Sequence, residues 1–364
     1  MNNIKFDLKD IVIVPAEVSE ISSRSEVNIL QDFEAFKYNN IETYPLMCSP
    51  MDTVVNKDNI EIFINNGVVP CMPRGEYIED YILNVSLRDK YFQSFGLSDV
   101  EEQLKEYKKH DPKPLCINYK TFWLYPNVLI DIANGNMVKL INLIKDIKST
   151  FPKITLMVGN IANPDTFWYL AEAGANYIRL GVGTGNACTS SANLGVHYPI
   201  GSLIEECHKI KIQQGLWNTK IVADGGMRNF DDIIKSLALG SDYVMIGSLF
   251  NKSLESAGFN YFHGIKISNR LATFLYKHNF VITKKYRGMS TKQVQRKWGK
   301  QKLTTAEGIV KYQKVEYTLS SWVENFTDYL RSAMSYTNCK KLRDFIGYVN
   351  YIFITDAARK RFEK

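Results

Sequence analysis

The chain has 364 residues, 45% hydrophobic and 23% charged, which are the proportions of a globular protein with a large core. Its net charge of +7 includes no long lysine or arginine run, so we expect a solvated surface that attracts phosphorylated ligands, and no nucleic-acid partner. Without a CxxC pair or an apolar run of the ~20 residues that a membrane span needs, the sequence predicts a cytoplasmic protein with no membrane contact, disulfide framework or structural zinc site.

Short apolar runs rich in strand-forming residues recur along the first 250 residues, and segments with helical periodicity separate them. The runs span 45–52, 67–74, 91–96, 127–135, 154–160, 177–185, 220–226 and 242–248. The clearest helical segments are 137–151, 165–175 and 231–241, where apolar residues fall three and four apart. This alternation predicts a parallel sheet covered by helices, and the count of eight favours a closed (β/α)8 barrel over an open sheet.

The pattern changes after the eighth predicted strand. Residues 253–320 contain few clean strands and many polar residues, which predicts an inserted flap and loop region with its own hairpins. Residues 321–346 return to helical periodicity and are expected to close the barrel. Because no internal repeat is visible, we predict one catalytic barrel domain over 1–364.

A glycine-rich loop follows the sixth predicted strand, in the segment LGVGTGNACTSSANLGVHYP (180–199). Gly181, Gly183 and Gly185 allow the backbone to approach a ligand or ion closely. Cys188 lies on the same loop, and a deprotonated cysteine there can attack an electrophilic carbon. A buried, inert thiol is the alternative, and the loop favours the nucleophile.

Paired glycines follow the seventh predicted strand, in ADGGMRNFDDI (223–233), and Gly247 and Ser248 follow the eighth. Glycines at strand ends can present backbone N–H groups to a phosphate, and the last two strands of such barrels often build a phosphate site. Asp224 is suited to accept hydrogen bonds from ribose hydroxyls. No GxGxxG follows the first strand, so the sequence does not predict a dinucleotide-binding domain of the Rossmann type.

Eight short motifs in this order resemble the IMP dehydrogenase/GMP reductase family across nearly the whole chain. They are SRSEV (23–27), SPMDTV (49–54), IDIANG (130–135), GVGTGNACT (181–189), ADGG (223–226), MIGS (245–248), YRGMS (286–290) and LRSAM (330–334). The resemblance implies a TIM barrel, a homotetramer, and a cysteine that bonds covalently to C2 of a purine nucleotide.

The same resemblance implies roles for individual residues. The catalytic positions are Cys188, Ser190 and Glu307. The substrate-binding positions are Ser49, Met51, Asp224, Gly225, Gly226, Gly247, Ser248, Tyr286, Gly288, Met289 and Ser290. The cofactor-binding positions are Asp131, Ala133, Asn134 and Gly135. A monovalent cation such as potassium is expected at the backbone of Gly183, Gly185 and Cys188.

Four features favour the reductase branch of the family. IDIANG and LGVHYP (194–199) resemble the reductase versions of these motifs, the flap between Ser290 and Glu307 is short and lacks an Arg-Tyr pair, and no regulatory insert is present. We therefore predict reductive deamination of GMP to IMP and ammonia with NADPH or NADH. Cys188 is expected to attack C2, and Glu307 with Ser190 to protonate the departing ammonia.

The chain departs from the family pattern at Ser190, where a threonine is usual, and at Arg74, where reductases use a lysine. The stretch 266–280 matches no family segment. These departures keep three alternatives open. They are an IMP dehydrogenase that oxidises IMP to XMP with NAD, an inactive purine-nucleotide-binding protein, and the reductase chemistry on dGMP or a modified guanine nucleotide.

Overall fold

The computed structural model describes residues 4–32, 42–78, 87, 89–110, 120–184, 193–289, 291, 294 and 308–362. Strands are numbered β1 to β16 along these ranges. Eight of them form a closed parallel barrel in which each strand pairs with the next and β11 returns to β4, with Met245 opposite Met47. The barrel strands are β4 (Leu46–Cys48), β5 (Val69–Met72), β6 (Phe92–Phe95), β7 (Asn127–Asp131), β8 (Thr155–Ile161), β9 (Tyr177–Leu180), β10 (Lys220–Asp224) and β11 (Tyr243–Ile246).

The closed parallel sheet confirms the predicted TIM barrel. Every barrel strand also coincides with a predicted apolar run. Helices cover the barrel and the adjoining segments. They are Ile60–Asn65, Leu97–His110, Val138–Thr150, Pro164–Glu172, Ile200–Gln213, Phe230–Ala238, Ser248–Asn251, Asn269–Lys277, Leu319–Tyr336, Leu342–Phe345 and Asp356–Phe362. None of the helices in the described ranges is long and apolar enough to cross a bilayer.

Local sequence explains where the barrel helices begin. Asn163 accepts a hydrogen bond from the backbone N–H of Asp165, and Pro164 occupies the first helical turn, where a missing N–H costs nothing. Asn229 and Asp232 form a reciprocal capping box at the start of the helix Phe230–Ala238.

The barrel interior is filled by side chains that alternate along the strands. Residues such as Met47, Phe92, Tyr177 and Tyr243 form one buried cluster inside the ring. Because side chains on a strand alternate between its two faces, Arg179 points to the same interior as Tyr177, one layer closer to the carboxyl ends of the strands. That placement determines the chemistry of the barrel mouth.

The region 253–320 contains more regular structure than its sequence predicts. A four-stranded antiparallel sheet has the order β13-β12-β14-β15, and the helix Asn269–Lys277 packs beside it. Its strands are β12 (Asn260–Phe262), β13 (Ile265–Ile267), β14 (Thr283–Arg287) and β15 (Val310–Lys314). These strands have only three to five residues, and lysines occupy many of their positions, so the alternation is too short to detect in the sequence.

Two buried polar side chains connect this sheet to the barrel through hydrogen bonds. The Lys284 ammonium donates to the carbonyl oxygens of Leu254, at 2.7 Å, and of Ser256, and burial lowers its pKa to about 7. Asn251 donates to the carbonyl oxygens of Thr53, at 2.7 Å, and Lys285, at 3.2 Å. Strand β14 is therefore held next to the loop that follows the first barrel strand.

The segment 321–346, expected to be helical and to close the barrel, lies in two helices, Leu319–Tyr336 and Leu342–Phe345. Leu319–Tyr336 ends before Asn338, whose φ of 59° is a left-handed conformation that stops helices. The barrel itself is closed by strand pairing, and this helix covers it from outside, with Trp322 against Phe250 at 5.1 Å between ring centroids. The remaining strands pair at the periphery: β1 (Ile11–Ile13) with β16 (Tyr351–Phe353), and β2 (Gln31–Asp32) with β3 (Glu42–Thr43).

A matched pair of glycine substitutions tests the packing around His208. Gly347 has φ of 75°, and an added Cβ would lie 2.1 Å from His208 Nε2. Gly264 has a similar φ of 80° with nothing within 4 Å of the added Cβ. Gly264→Ala is expected to cost about 1 kcal/mol of unfolding free energy through backbone strain, and Gly347→Ala about 3 kcal/mol because the clash adds to that strain. Urea denaturation of both variants measures the difference, and equal losses would contradict it.

Candidate active site

An arginine bridges two carboxylates at the mouth of the barrel. Arg179 on β9 is only 5% exposed. Its Nη1 donates to Asp131 Oδ1 on β7 at 2.7 Å, and its Nη2 donates to Asp224 Oδ2 on β10 at 2.7 Å. The three side chains come from strands separated by 40 or more residues in sequence, and only the curvature of the closed sheet brings them together.

Two further side chains complete this network. Arg74, after β5, donates through Nε to Asp131 Oδ2 at 3.3 Å. Asn160, on β8, donates through Nδ2 to Asp224 Oδ2 and to the carbonyl oxygen of Gly181, both at 2.8 Å. The arginine at position 74, where a lysine was expected from the family pattern, therefore has a structural partner. It orients the carboxylate of Asp131.

The two arginines of the network keep the Asp131 carboxylate ionised. Burial by itself raises the pKa of Asp131, but the nearby Arg179 and Arg74 outweigh it, and the pKa is lowered overall. For Arg179, burial favours the neutral form, whereas Asp224 and Asp131 raise its pKa. An ionised carboxylate is purely a hydrogen-bond acceptor, which suits it to bind ligand hydroxyl groups.

A glycine makes room for the bridging arginine. Gly159 on β8 lies opposite Arg179 in the strand register. A Cβ at Gly159 would lie 2.7 Å from the backbone oxygen of Arg179 and 2.8 Å from its Cβ. Any larger residue would therefore push β9 away and misplace the guanidinium.

A second group of predicted residues surrounds Gly247 at the end of β11. A Cβ there would lie 3.0 Å from Met51 Sδ, 3.1 Å from Tyr286 Oη and 3.3 Å from Ser49 Oγ. Ser248, the next residue, is buried. Arg287 pairs with Asp52, which joins β14 to the loop after β4. Three segments that are distant in sequence thus meet around one glycine.

The turn after β10 contains two consecutive glycines in the left-handed region. Gly225 and Gly226 have φ values of 87° and 86°, so the turn is accessible only to glycine at low cost. Thr184 Oγ1 donates to the carbonyl oxygen of Asp224 at 2.9 Å and joins this turn to the loop after β9. A cavity of about 300 Å³ lies beside them and is lined in part by Gly183, Thr184 and Gly226.

The predicted cofactor residues separate into two environments. Asp131 ends its strand at the barrel mouth, and Ala133 and Asn134 are exposed on the following loop. Gly135 is buried, donates its N–H to the carbonyl oxygen of Asn160 at 2.7 Å, and packs against Ile161. Ala133 and Asn134 are therefore accessible, whereas Asp131 is buried among its ion pairs and Gly135 shapes the loop.

The remaining predicted site residues lie at or beyond the limits of the described ranges. Gly288 is buried, and its N–H donates to the carbonyl oxygen of Ile309 at 3.1 Å; Met289 is half-buried beside it. The residues that lie outside the described ranges are Gly185, Cys188, Ser190, Ser290 and Glu307.

Sequence analysis missed Arg179 and Asn160. For Arg179, the sequence shows an arginine in the apolar run YIRL, two residues after Tyr177 and therefore on the same, interior face of the strand. A charged side chain that points into a barrel requires a partner, since an unpaired buried charge is costly. The partners themselves were not identifiable because they depend on strand register.

An eight-stranded barrel whose strand ends combine bridged carboxylates with a paired-glycine turn is the architecture of a TIM-barrel enzyme. A family model described as IMP dehydrogenase / GMP reductase domain matches residues 126–363, and the chain belongs to this family. It is therefore an oxidoreductase, as the sequence resemblance predicted.

Among its relatives are proteins named GMP reductase. The chain is 26% identical to GMP reductase from Onchocerca volvulus, over 99% of this chain and 94% of that protein. It is 25% identical to human GMP reductase 1, over 97% and 96% of the two chains. GMP reductase from Buchnera aphidicola subsp. Schizaphis graminum is 29% identical over 70% of this chain and 71% of its own.

Proposed function

We propose that this protein converts GMP, or a related guanine nucleotide, to the inosine nucleotide and ammonia with NADPH as reductant. The observation that carries the proposal is the barrel mouth, where Arg179 orients Asp224 beside the Gly225–Gly226 turn. A carboxylate next to backbone N–H groups fits a ligand with ribose hydroxyls and a phosphate. The GMP reductase relatives agree with a guanine nucleotide as that ligand.

In the proposed binding mode, Asp224 accepts hydrogen bonds from the ribose hydroxyls. The N–H groups of Gly226 and Gly247 bind the phosphate, and Ser49 and Tyr286 add hydroxyl groups beside Gly247. The purine base then extends toward the loop after β9, which carries Cys188 in the sequence. Met51 packs near this path and gives the base an apolar contact.

In the proposed reaction, the Cys188 thiolate forms a bond to purine C2, and ammonia leaves after Glu307 and Ser190 supply a proton to its nitrogen. The reduced nicotinamide, when bound, supplies a hydride to C2. The carbon–sulfur bond then breaks, which restores the thiolate and releases the inosine nucleotide. One NADPH and two protons are consumed for each GMP, and NADP⁺ and an ammonium ion are released.

Asp131, with Ala133 and Asn134, fits the nicotinamide ribose because its ionised carboxylate lies at the rim beside an exposed loop. The left-handed backbone at Gly183 fits a loop that turns its carbonyl groups toward a monovalent cation, with Gly185 and Cys188 as the other proposed contributors.

We also propose that the chain forms a single catalytic barrel domain and assembles into a homotetramer, as the family resemblance implies.

Two parallel assays test the reaction. Purified protein is mixed with GMP and NADPH in one and with IMP and NAD in the other, and nicotinamide absorbance and ammonia are followed. We expect NADPH loss and ammonia release in equal amounts in the first mixture only. Reduction of NAD in the second mixture would instead identify an IMP dehydrogenase, and no reaction in either would overturn both enzymatic assignments. Replacing GMP by dGMP determines whether the 2′-hydroxyl is required.

Thiol labelling gives an independent prediction. The cysteines of the described residues, Cys48, Cys71, Cys207 and Cys339, are all buried. Burial raises the pKa of each, to about 12 for Cys48, so these thiols are expected to stay unmodified by iodoacetamide at neutral pH. Peptide mass spectrometry should find Cys188 labelled first, and GMP should protect it. Labelling of Cys207 at the same rate as Cys188 would contradict the assignment of the nucleophile.

A further inference from the structure

The sequence segment that contains the four-stranded sheet has an unusual distribution of charge. Residues 257–315 contain 13 Lys and Arg and one acidic residue, Glu307, out of totals of 45 and 38 for the whole chain. The rest of the chain therefore has 32 basic and 37 acidic residues. The positive charge of this protein is concentrated in one segment, although no long basic run reveals it.

Strand register gathers part of this charge on one face of the sheet. Tyr261 lies opposite both Lys266 and Thr283, and Thr283 lies opposite Lys314. Directly opposite residues of antiparallel strands project from the same face. Lys285 and Tyr312 form a further pair on that face, two residues along from Thr283 and Lys314.

The other face is turned toward the protein. Asn260, Lys284 and Tyr286 alternate with the residues above and are buried. We call the first face the outer sheet face. It comprises Phe259, Tyr261, Lys266, Lys285, Tyr312 and Lys314. Tyr286, the proposed substrate contact, lies on the opposite side of β14, so the outer sheet face is separate from the proposed nucleotide site.

Aromatic rings lie between the lysines of the outer sheet face. Tyr312 is 58% exposed and Phe259 is 55% exposed. The rings of Tyr261 and Tyr312 are 5.1 Å apart and perpendicular, and the Lys266 ammonium lies 3.5 Å from the centre of the Phe259 ring. Lys266 and Lys314 are exposed, and neither has an acidic partner within the described ranges.

This combination is the chemistry that recognises a single-stranded polynucleotide. Lysines neutralise the phosphate backbone, and exposed aromatic rings stack on unpaired bases. Lysines alone would fit a solvated face, and an apolar patch alone would fit a protein partner. We propose that the outer sheet face binds single-stranded nucleic acid without base specificity. The sequence led us to expect no such partner because the basic residues are dispersed along the chain, and only β pairing brings them together.

The test is fluorescence anisotropy with the full chain and labelled single-stranded oligonucleotides of about 12 nucleotides, a length within known site sizes. We expect saturable binding that weakens with salt, with a log–log slope near −2 for about three phosphate contacts. The double variant Lys266→Glu/Lys314→Glu should bind at least about tenfold more weakly. Tyr312→Ala should weaken binding about 5-fold or more without changing the salt slope, since it removes a stacked base.

The matched control reverses two exposed lysines elsewhere. Lys105→Glu/Lys109→Glu, on the helix Leu97–His110, makes the same change in net charge and should bind as the parent protein does. Thermal unfolding midpoints verify that every variant is folded. Absence of binding at low salt would overturn the proposal. So would equal loss in the control variant, an unchanged affinity for Tyr312→Ala, or equally strong competition by poly-glutamate.

Discussion

Replacing Arg179 by methionine is expected to lower the free energy of unfolding by about 3–5 kcal/mol, the usual cost of removing one partner of a buried ion pair. The guanidinium bridges Asp131 and Asp224, whose side chains are both largely buried. Methionine fills much of the same volume, but it removes the positive charge that offsets the repulsion between the two neighbouring carboxylates. Binding of GMP is expected to weaken as well, because Asp224 keeps only the hydrogen bond from Asn160 to orient it.

Arg24→Met is the matched control. Arg24 forms an exposed ion pair with Asp328 at 3.3 Å, so its loss should change stability by at most about 1 kcal/mol. Arg179→Lys preserves the charge but not the bridge, since one ammonium cannot reproduce the two-sided fork of a guanidinium. Urea denaturation and calorimetric titration with GMP measure the two effects. A stable Arg179→Met variant with normal GMP affinity would show that the bridge has no such role.

The loss of stability in Arg179→Met should depend on pH, because it involves the ion pair with Asp131. The pKa of Asp131 is lowered in the folded state, so its stabilising contribution is present above the ordinary value of 3.8 and is lost as pH falls through the folded value. The stability gap between the parent and Arg179→Met should therefore narrow as pH falls below about 4. A gap that stays constant would indicate that packing, and not charge, accounts for the loss.

Replacing Cys188 by alanine is expected to reduce kcat for GMP reduction by a factor on the order of 10³ or more, as removal of a covalent nucleophile does. The substitution should leave GMP binding nearly unchanged, because the proposed ribose and phosphate contacts involve other residues. Stopped-flow measurement of NADPH consumption and equilibrium titration with GMP separate the two quantities.

Cys207→Ala is the control for this experiment. Cys207 is buried on the helix Ile200–Gln213, outside the barrel mouth, so its truncation should affect stability and leave kcat within about twofold. If Cys188→Ala retained more than a tenth of the parent kcat, covalent catalysis by Cys188 would be excluded. Loss of GMP binding in the same variant would point to a binding role for the loop.

The sequence by itself determined the barrel. Each of the eight strands is a short apolar run, and this pattern is local, so it can be identified without tertiary information. The sequence also placed Asp224, Gly225, Gly226 and Gly247 at the ends of two strands, and the structure has them there. The motif order additionally indicated the family, which the comparison with known proteins confirmed.

Only the tertiary structure decided how these residues are held. Arg179 contacts Asp131 and Asp224 on other barrel strands, and these contacts depend on the strand register. Arg74, after β5, and Asn160, on β8, contact the same two carboxylates. The outer sheet face likewise depends on pairing between β12, β13, β14 and β15. Local periodicity specifies which residues form strands and which side faces inward, but partners across a sheet depend on closure and register. Those are properties of the whole fold.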